Sequence, residues 1–254
     1  MILRILESNL NLRVDRRYNK KNSNTKYILK KEVAEAQLAY KDIDLYCNVE
    51  YMECENQKYL DQFEKEYHCI KALFGKDKRG ILCYVRKEFI IHKIKEFDEP
   101  HFLHFKITKD NETVDVIVFR ILVAKTSIKD FKDRAKQWNK VMDYLNSLNT
   151  SNLIMTGDWN HGKVRDTYTQ EHCQYHFSYQ QIKSDLEGKN MTMGINLEEG
   201  HKENSYNSFL AIDHIAIGSS LSYKENPQYS SKYKVGAPIG TSDHAYLFAS
   251  IETK

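Results

Sequence analysis

Apolar positions along the 254-residue chain recur with two different periods, and the two periods alternate from one end to the other. Short runs of alternating or continuous apolar residues predict strands over residues 2–10, 43–51, 79–89, 100–108, 113–124, 152–159, 208–218 and 244–251. Helical spacing predicts helices over residues 25–41, 56–67, 128–148 and 178–187. The clearest is 128–148, where Phe131, Ala135, Trp138, Met142 and Leu145 follow one another at steps of four, three, four and three. Ser127 and Asp130 supply its N-terminal boundary. Residues 162–207 are polar and weakly patterned outside the helix at 178–187. Strands lie on both sides of helices without strict βαβ repetition, and no glycine-rich dinucleotide fingerprint is present. The pattern therefore predicts a layered α/β sandwich with mixed sheets and argues against a Rossmann fold. No internal repeat or low-complexity segment interrupts it, and the three prolines (Pro100, Pro227, Pro238) form no linker, so one domain over 1–254 is expected.

Composition adds constraints. Apolar residues at 41% are enough for a core and charged residues at 29% enough for a solvated shell. A formal net charge of +3 excludes a polycation but leaves room for a local basic patch. Arg13, Arg16, Arg17, Lys20, Lys21, Lys26, Lys30 and Lys31 form such a run. It reads either as a solvated loop or as a surface that meets phosphates. The five cysteines form no CxxC pair and leave one over, which suggests neither a disulfide framework nor a zinc ribbon; reduced thiols in a cytoplasmic protein are expected. The opening MILRILESNLNL carries Glu7 and is too short an apolar stretch for a signal peptide. No later run reaches the ~18 apolar residues of a membrane span. Neither a membrane nor a protein partner is expected.

The candidate chemistry sits at strand ends. The late strands carry Gly157-Asp158-Trp159-Asn160, Ile212-Asp213-His214 and Ser242-Asp243-His244; the early ones carry Asn9, Asn11 and Glu50. Taken singly, each has an ordinary structural explanation, such as an Asp or Asn that forms a turn. Together, carboxylates and amides gathered at strand ends are suitable ligands for a hard cation such as Mg²⁺.

The order of these motifs resembles the endonuclease/exonuclease/phosphatase superfamily, whose members have the pancreatic-DNase-like fold. Its late motifs, G-D-[FW]-N, I-D-x-[IVF] and S-D-H before a closing strand, are matched by TGDWN (156–160), AIDHIAIG (211–218) and TSDHAYLFASI (241–251). SNLN (8–11) resembles the family's W-N-x-[ND] without the tryptophan, and DLYCNVE (44–50) resembles D-[IV]-x-x-x-Q-E with Val49 in place of glutamine. The likeness runs from residue 4 to 252 and is most specific at 157–160 and 241–244.

The resemblance implies a four-layered α/β/β/α sandwich of two packed mixed sheets, and a phosphodiesterase dependent on Mg²⁺ or Mn²⁺. It makes Glu50 the principal metal ligand, with Asn11 and Asp243 close to the metal. Asn9 and Asn160 would orient the phosphate and the attacking water, and Asp158 would position or deprotonate that water. His244 would contact a phosphate oxygen, its other ring nitrogen held by Asp213. These roles agree with what phosphodiester hydrolysis requires of any catalyst: an oriented water, a proton acceptor and positive charge. One departure falls in VFRILVA (118–124), where Arg120 occupies or adjoins a position the family fills with Tyr or His; it could bind phosphate in place of a neutral donor. Arg86 is a second candidate for phosphate. Nucleic acid, DNA or RNA, is the expected substrate, because the basic early run also carries Tyr18 and Tyr27 for stacking on bases. A small or inositol-type phosphoester, or a binding module that has lost turnover, are the alternatives.

Overall fold

The computed structural model describes residues 1–10, 31–53, 57–76, 78–165, 167–197, 205, 210–230 and 244–254. In chain order the elements are β1 (Ile2–Asn9), α1 (Lys31–Leu38), β2 (Leu45–Met52), α2 (Gln57–Glu64), β3 (Tyr67–Phe74), β4 (Arg79–Arg86), β5 (Ile90–Phe97), β6 (His101–Lys109), β7 (Glu112–Arg120), α3 (Ile128–Leu145), β8 (Leu153–Asp158), α4 (Tyr179–Glu187), β9 (Met191–Met193), β10 (Asp213–Gly218), β11 (Leu221–Tyr229) and β12 (Leu247–Thr253). A 3-10 turn, Cys173–His176, precedes α4.

The strands form two six-stranded sheets, in the orders β11-β12-β1-β2-β4-β3 and β5-β6-β7-β8-β10-β9. Alternation along each strand sends one set of side chains between the sheets and the other outward. Leu3, Ile5 and Val49 from the first sheet meet Leu103, Val116, Val118, Ile154 and Ile215 from the second. Outside the second sheet, α3 and α4 cover Phe119, Met155 and Trp159 with Trp138, Val141 and Ile182. Outside the first, α1 and α2 cover Leu6, Tyr46 and Tyr84, and Phe63 stacks on Tyr84 at 4.1 Å. The result is the expected four-layered α/β/β/α sandwich.

Several elements differ from the hydrophobic pattern. The first helix is described only from Lys31, and residues 25–30 of the expected 25–41 lie outside the described residues. The second ends at Glu64, because Tyr67 already opens β3, a strand the helical spacing concealed. Strands β5 and β11 also went unpredicted. Both are sheet edges with little apolar burial. Lys93, Lys95 and Glu96 line β5, and β11 carries Lys224, Glu225 and Pro227 with two register shifts against β12. Charges, proline and bulges on an edge block pairing with another chain and erase the alternation that would announce a strand. The short β9, Met191–Met193, is a third edge.

Helix α3 starts where expected: Ser127 Oγ accepts the Asp130 amide at 3.2 Å. Its buried face includes three polar residues beside the apolar stripe, Asp130, Arg134 and Gln137. Gln137 binds both backbone groups of Leu122, at 2.8 and 3.0 Å, and Arg134, paired with Asp130 at 2.8 Å, donates to the Asn160 carbonyl at 2.7 Å. The helix thus fixes the segments that leave β7 and β8.

Strand β8 lies against β7 so closely that a Cβ on Gly157, whose φ is 135°, would stand 2.0 Å from the Phe119 carbonyl oxygen. Only glycine adopts that backbone without strain. Gly157→Ala is expected to cost roughly 3 kcal/mol or more, read as a lower urea midpoint. Unchanged stability would show that β7 and β8 do not approach as described.

Candidate active site

Topology brings the polar strand ends together. Strands β1 and β2 run parallel, with Asn9 beside Val49, so Asn9 and Glu50 emerge at the same end of the first sheet. Strands β7 and β8 are also parallel, which places Arg120 and Asp158 together at the C-terminal end of the second. β10 is antiparallel to β8 and contributes its first residue, Asp213, opposite Asp158. His244 lies shortly before β12, the antiparallel neighbour of β1. Six side chains that are distant in sequence therefore meet at one end of the sandwich.

Asp158 is at the centre. Its backbone carbonyl accepts the Ile121 amide at 3.0 Å, and the next residue's amide donates to Ile212 at 2.8 Å, tying the chain to both neighbouring strands. Trp159 projects to the opposite face, stacked on Phe119 at 5.3 Å and close to Trp138. Asp158 Oδ2 receives Asn9 Nδ2 at 3.3 Å and lies 3.4 Å from Arg120 Nε; Oδ1 accepts the Asn160 amide at 3.2 Å. Burial first, and then the charge of Asp213, push the Asp158 carboxyl up to about 7, although His244 and Arg120 pull the other way. A carboxylate in that range can accept a proton near neutrality.

His244 Nδ1 donates to Asp213 Oδ2 at 2.7 Å, and its Nε2 lies 3.4 Å from Asn9 Nδ2. Asp213 is wholly buried, so the carboxylate sets the ring's tautomer and can balance an imidazolium. Asn9 links the two halves of the site, reaching both Asp158 and His244. Asn160 is held by the backbone of the neighbouring segment. Its left-handed backbone, φ 48°, turns the side chain back so that Nδ2 donates to the Ile121 carbonyl at 2.9 Å. One N–H of the amide thereby secures the loop.

Glu50 and Arg120 complete the cluster. Arg120 Nη2 forms a close ion pair with Glu50 Oε1 across the two sheets. Asn11 and Asp243, the other expected metal ligands, lie outside the described residues, as does the basic run at 13–30. Among the described residues, Asp158, Asp213 and His244 also bring one donor atom each within 4.8 Å of one another. Two of these residues are also hydrogen-bonded to each other, His244 Nδ1 to Asp213 Oδ2. The hard oxygens of Glu50 and Asp158, bridged by a guanidinium, are a donor set that suits a divalent cation.

Arg86 is not at this end. Val85 pairs with Leu45 at the start of β2, and Arg86 binds the Ile43 carbonyl at 3.0 Å, approaches Asp44 and lies over Tyr67. It braces the opposite end of the sheet. The residue at the site end of β4 is Arg79, opposite Met52. Nearby His101 pairs in register with Arg120; burial, then the charges of Arg120 and Arg79, lower its pKa to about 4. Sequence reasoning passed over Arg79 because nothing in the chain says which end of β4 faces the site.

Two further buried groups lie outside the roles the resemblance assigns. Glu7, three residues before Leu10, points between the sheets, and neither carboxylate oxygen has a hydrogen-bond partner among the described residues. Burial, then Asp213 and Asp158, hold its pKa well above the ordinary value. His161 and His214 face each other, Nε2 to Nε2 at 2.8 Å, behind Trp159. Only one of two nitrogens so close can carry the hydrogen, and burial lowers the His161 pKa to about 4.

No protein-family model and no curated protein matches the sequence. Solved structures match it along its whole length. The endonuclease domain of TRAS1, a telomere-specific non-LTR retrotransposon, superimposes with a TM-score of 0.63 at 13% identity, covering 100% of this chain and 99% of that one. D. rerio TDP2 complexed with single-strand DNA product gives 0.62 at 13%, covering 99% of each. An endonuclease/exonuclease/phosphatase family protein from Bacteroides thetaiotaomicron gives 0.58 at 16%, covering 100% and 98%. The chain has the fold of that superfamily, the one its strand-end motifs resemble. Among the described residues, no helix is long and apolar enough to cross a membrane.

Glu7 provides a test of the site's electrostatics. A carboxyl whose pKa is raised on folding stabilises the fold only while protonated, so that stability is lost as pH rises above the unfolded value. Glu7→Gln keeps the shape without the charge and is expected to raise the melting temperature at pH 8 by about 2–4 °C per kcal/mol recovered, with little change at pH 4. An equal shift at both pH values would show that Glu7 is not held neutral.

Proposed function

We propose that the chain is a divalent-metal-dependent phosphodiesterase acting on nucleic acid, with Mg²⁺ or Mn²⁺ as its cofactor and one catalytic domain over 1–254. The observation that carries this reading is the meeting of Asn9, Asp158 and the Asp213–His244 pair at one end of two sheets, with Glu50 facing Asp158 across them. Glu50, with Asn11 and Asp243, would hold the metal, which when bound supplies positive charge against the phosphate oxygens.

The residues of the chain divide the remaining work. Asp158 accepts the proton of the attacking water; its pKa of about 7 matches that task near neutral pH. Asn9, already in contact with Asp158 and His244, orients water and phosphate between them. As water oxygen bonds to phosphorus and the ester bond opposite breaks, negative charge grows on the non-bridging oxygens. Protonated His244, balanced by Asp213, is placed to meet that charge. Asn160 keeps the Asp158 loop rigid, where about 1 Å of misplacement can cost ~100-fold in rate.

Nucleic acid is favoured over a small phosphoester by the cations at the site end of the sandwich and in the sequence beside it. Arg79 joins Arg120 at the site end, and the sequence holds a further basic run at 13–31. Two of the similar folds belong to proteins described as an endonuclease domain and as a complex with a DNA product.

Labelled single- and double-stranded DNA and RNA incubated with Mg²⁺, Mn²⁺ or EDTA should be cut only with metal. Asp158→Ala and His244→Ala should each lose about 10²–10⁴-fold in kcat while melting as a folded protein. Normal cutting by either variant sinks the assignment, and no cutting of any polymer would turn the reading toward a small phosphoester or a binding module. Arg79→Ala should raise KM for the polymer with kcat nearly unchanged, whereas Arg86→Ala should leave KM alone and lower stability. The reverse pattern would put the substrate at the other end of the sandwich.

A further inference from the structure

Arg120 occupies an unusual place for a substrate-binding arginine. Its guanidinium is turned away from solvent and spans the two sheets, paired with Glu50 on one side and 3.4 Å from Asp158 on the other. Glu50 itself is aimed by its backbone. It has φ 52°, and the β2–β4 register shifts between Asn48 and Tyr51, so a bulge turns this carboxylate toward the second sheet. A non-glycine residue in the left-handed region is uncommon and is retained where the surrounding structure demands it. The chain thus strains one carboxylate into position and then places a permanent cation on it.

We propose that Arg120 is a built-in counter-ion that competes with the divalent metal for Glu50, and that metal binding releases its guanidinium to take the substrate's phosphate. The inference rests on the metal-dependent reading above and adds a switch to it. A guanidinium and a divalent ion cannot share one carboxylate oxygen at contact distance without strong like-charge repulsion. One must leave. Arginine stays charged at any working pH, so it cannot escape by losing a proton; it has to move. Its planar fork suits a phosphate as well as a carboxylate, and the phosphate arrives in the same cleft. Without metal, the same ion pair offsets the repulsion between Glu50 and Asp158. Metal and phosphate affinities would then be coupled through one side chain, each favouring the other to the same extent.

Mn²⁺ titration followed by electron paramagnetic resonance, on the full chain without substrate, tests this directly. Arg120→Gln should bind Mn²⁺ about tenfold or more tightly than wild type, the scale of one close charge pair; Glu50→Gln should bind it poorly. Arg120→Lys, which keeps a charge without the fork, should fall between wild type and Arg120→Gln, and serves if the glutamine variant does not fold without metal. Adding inorganic phosphate should tighten Mn²⁺ binding more in wild type than in Arg120→Gln. Equal or weaker Mn²⁺ binding by both Arg120 variants, with Glu50→Gln still impaired, overturns the competition and leaves the metal site standing. Failure of wild type and every variant to bind Mn²⁺ overturns both readings.

Discussion

Burial of the Asp158 carboxylate is the constraint on which the rest of the site depends. A lone carboxylate in a protein interior is too costly to keep ionised unless it is paired or richly hydrogen-bonded. Here the Asn9 amide, the Asn160 backbone amide and the Arg120 guanidinium all converge on it. The carboxyl nonetheless sits near neutrality, because Asp213 is close and water is largely excluded. That balance makes the group useful. A fully solvated aspartate would be too weak a base, and an unpaired buried one would simply stay protonated.

Holding the carboxylate there demands rigidity from elements that never touch a substrate. Gly157 lets β8 come within reach of β7, Trp159 packs against Phe119 and Trp138 and so anchors the residue after Asp158, and Arg134 on α3 grips the Asn160 carbonyl. The His161–His214 pair joins the loop after β8 to the start of β10. Each support comes from a different element, so the precision of the site is a property of the four layers together. Glu7 is a cost carried by the same arrangement, a carboxyl whose pKa burial and two neighbouring carboxylates raise well above the ordinary value, with no hydrogen-bond partner for its oxygens among the described residues.

The electrostatics divide between the sheets. The second sheet supplies Asp158, Asp213 and Arg120; the first supplies Asn9, Glu50 and, just before β12, His244. The Arg120–Glu50 pair and the Asp213–His244 pair both cross the gap between them. The two sheets are joined at this end by charge as well as by the apolar core, which links the geometry of the cluster to the packing of the sandwich.

Much of this was legible in the sequence. Helix α3 was readable because its apolar stripe repeats with helical spacing and its cap is local, and central strands were readable because burial on both faces leaves long apolar runs. Asp158, Asp213 and His244 could be picked out because each follows or precedes such a run in an order that resembles a known family. Local periodicity carries no information about pairing, however. It could not tell that Arg79 and not Arg86 faces the site, since both ends of a strand look alike until a neighbour's direction is known. Nor could it reveal β5 and β11, whose exposed edges carry charges in place of the alternating pattern. The placement of Arg120 between Glu50 and Asp158, the turning back of Asn160 and the isolation of Glu7 were decided only when two sheets packed face to face. They depend on contacts between strands far apart in sequence, or on a backbone turn beside those contacts.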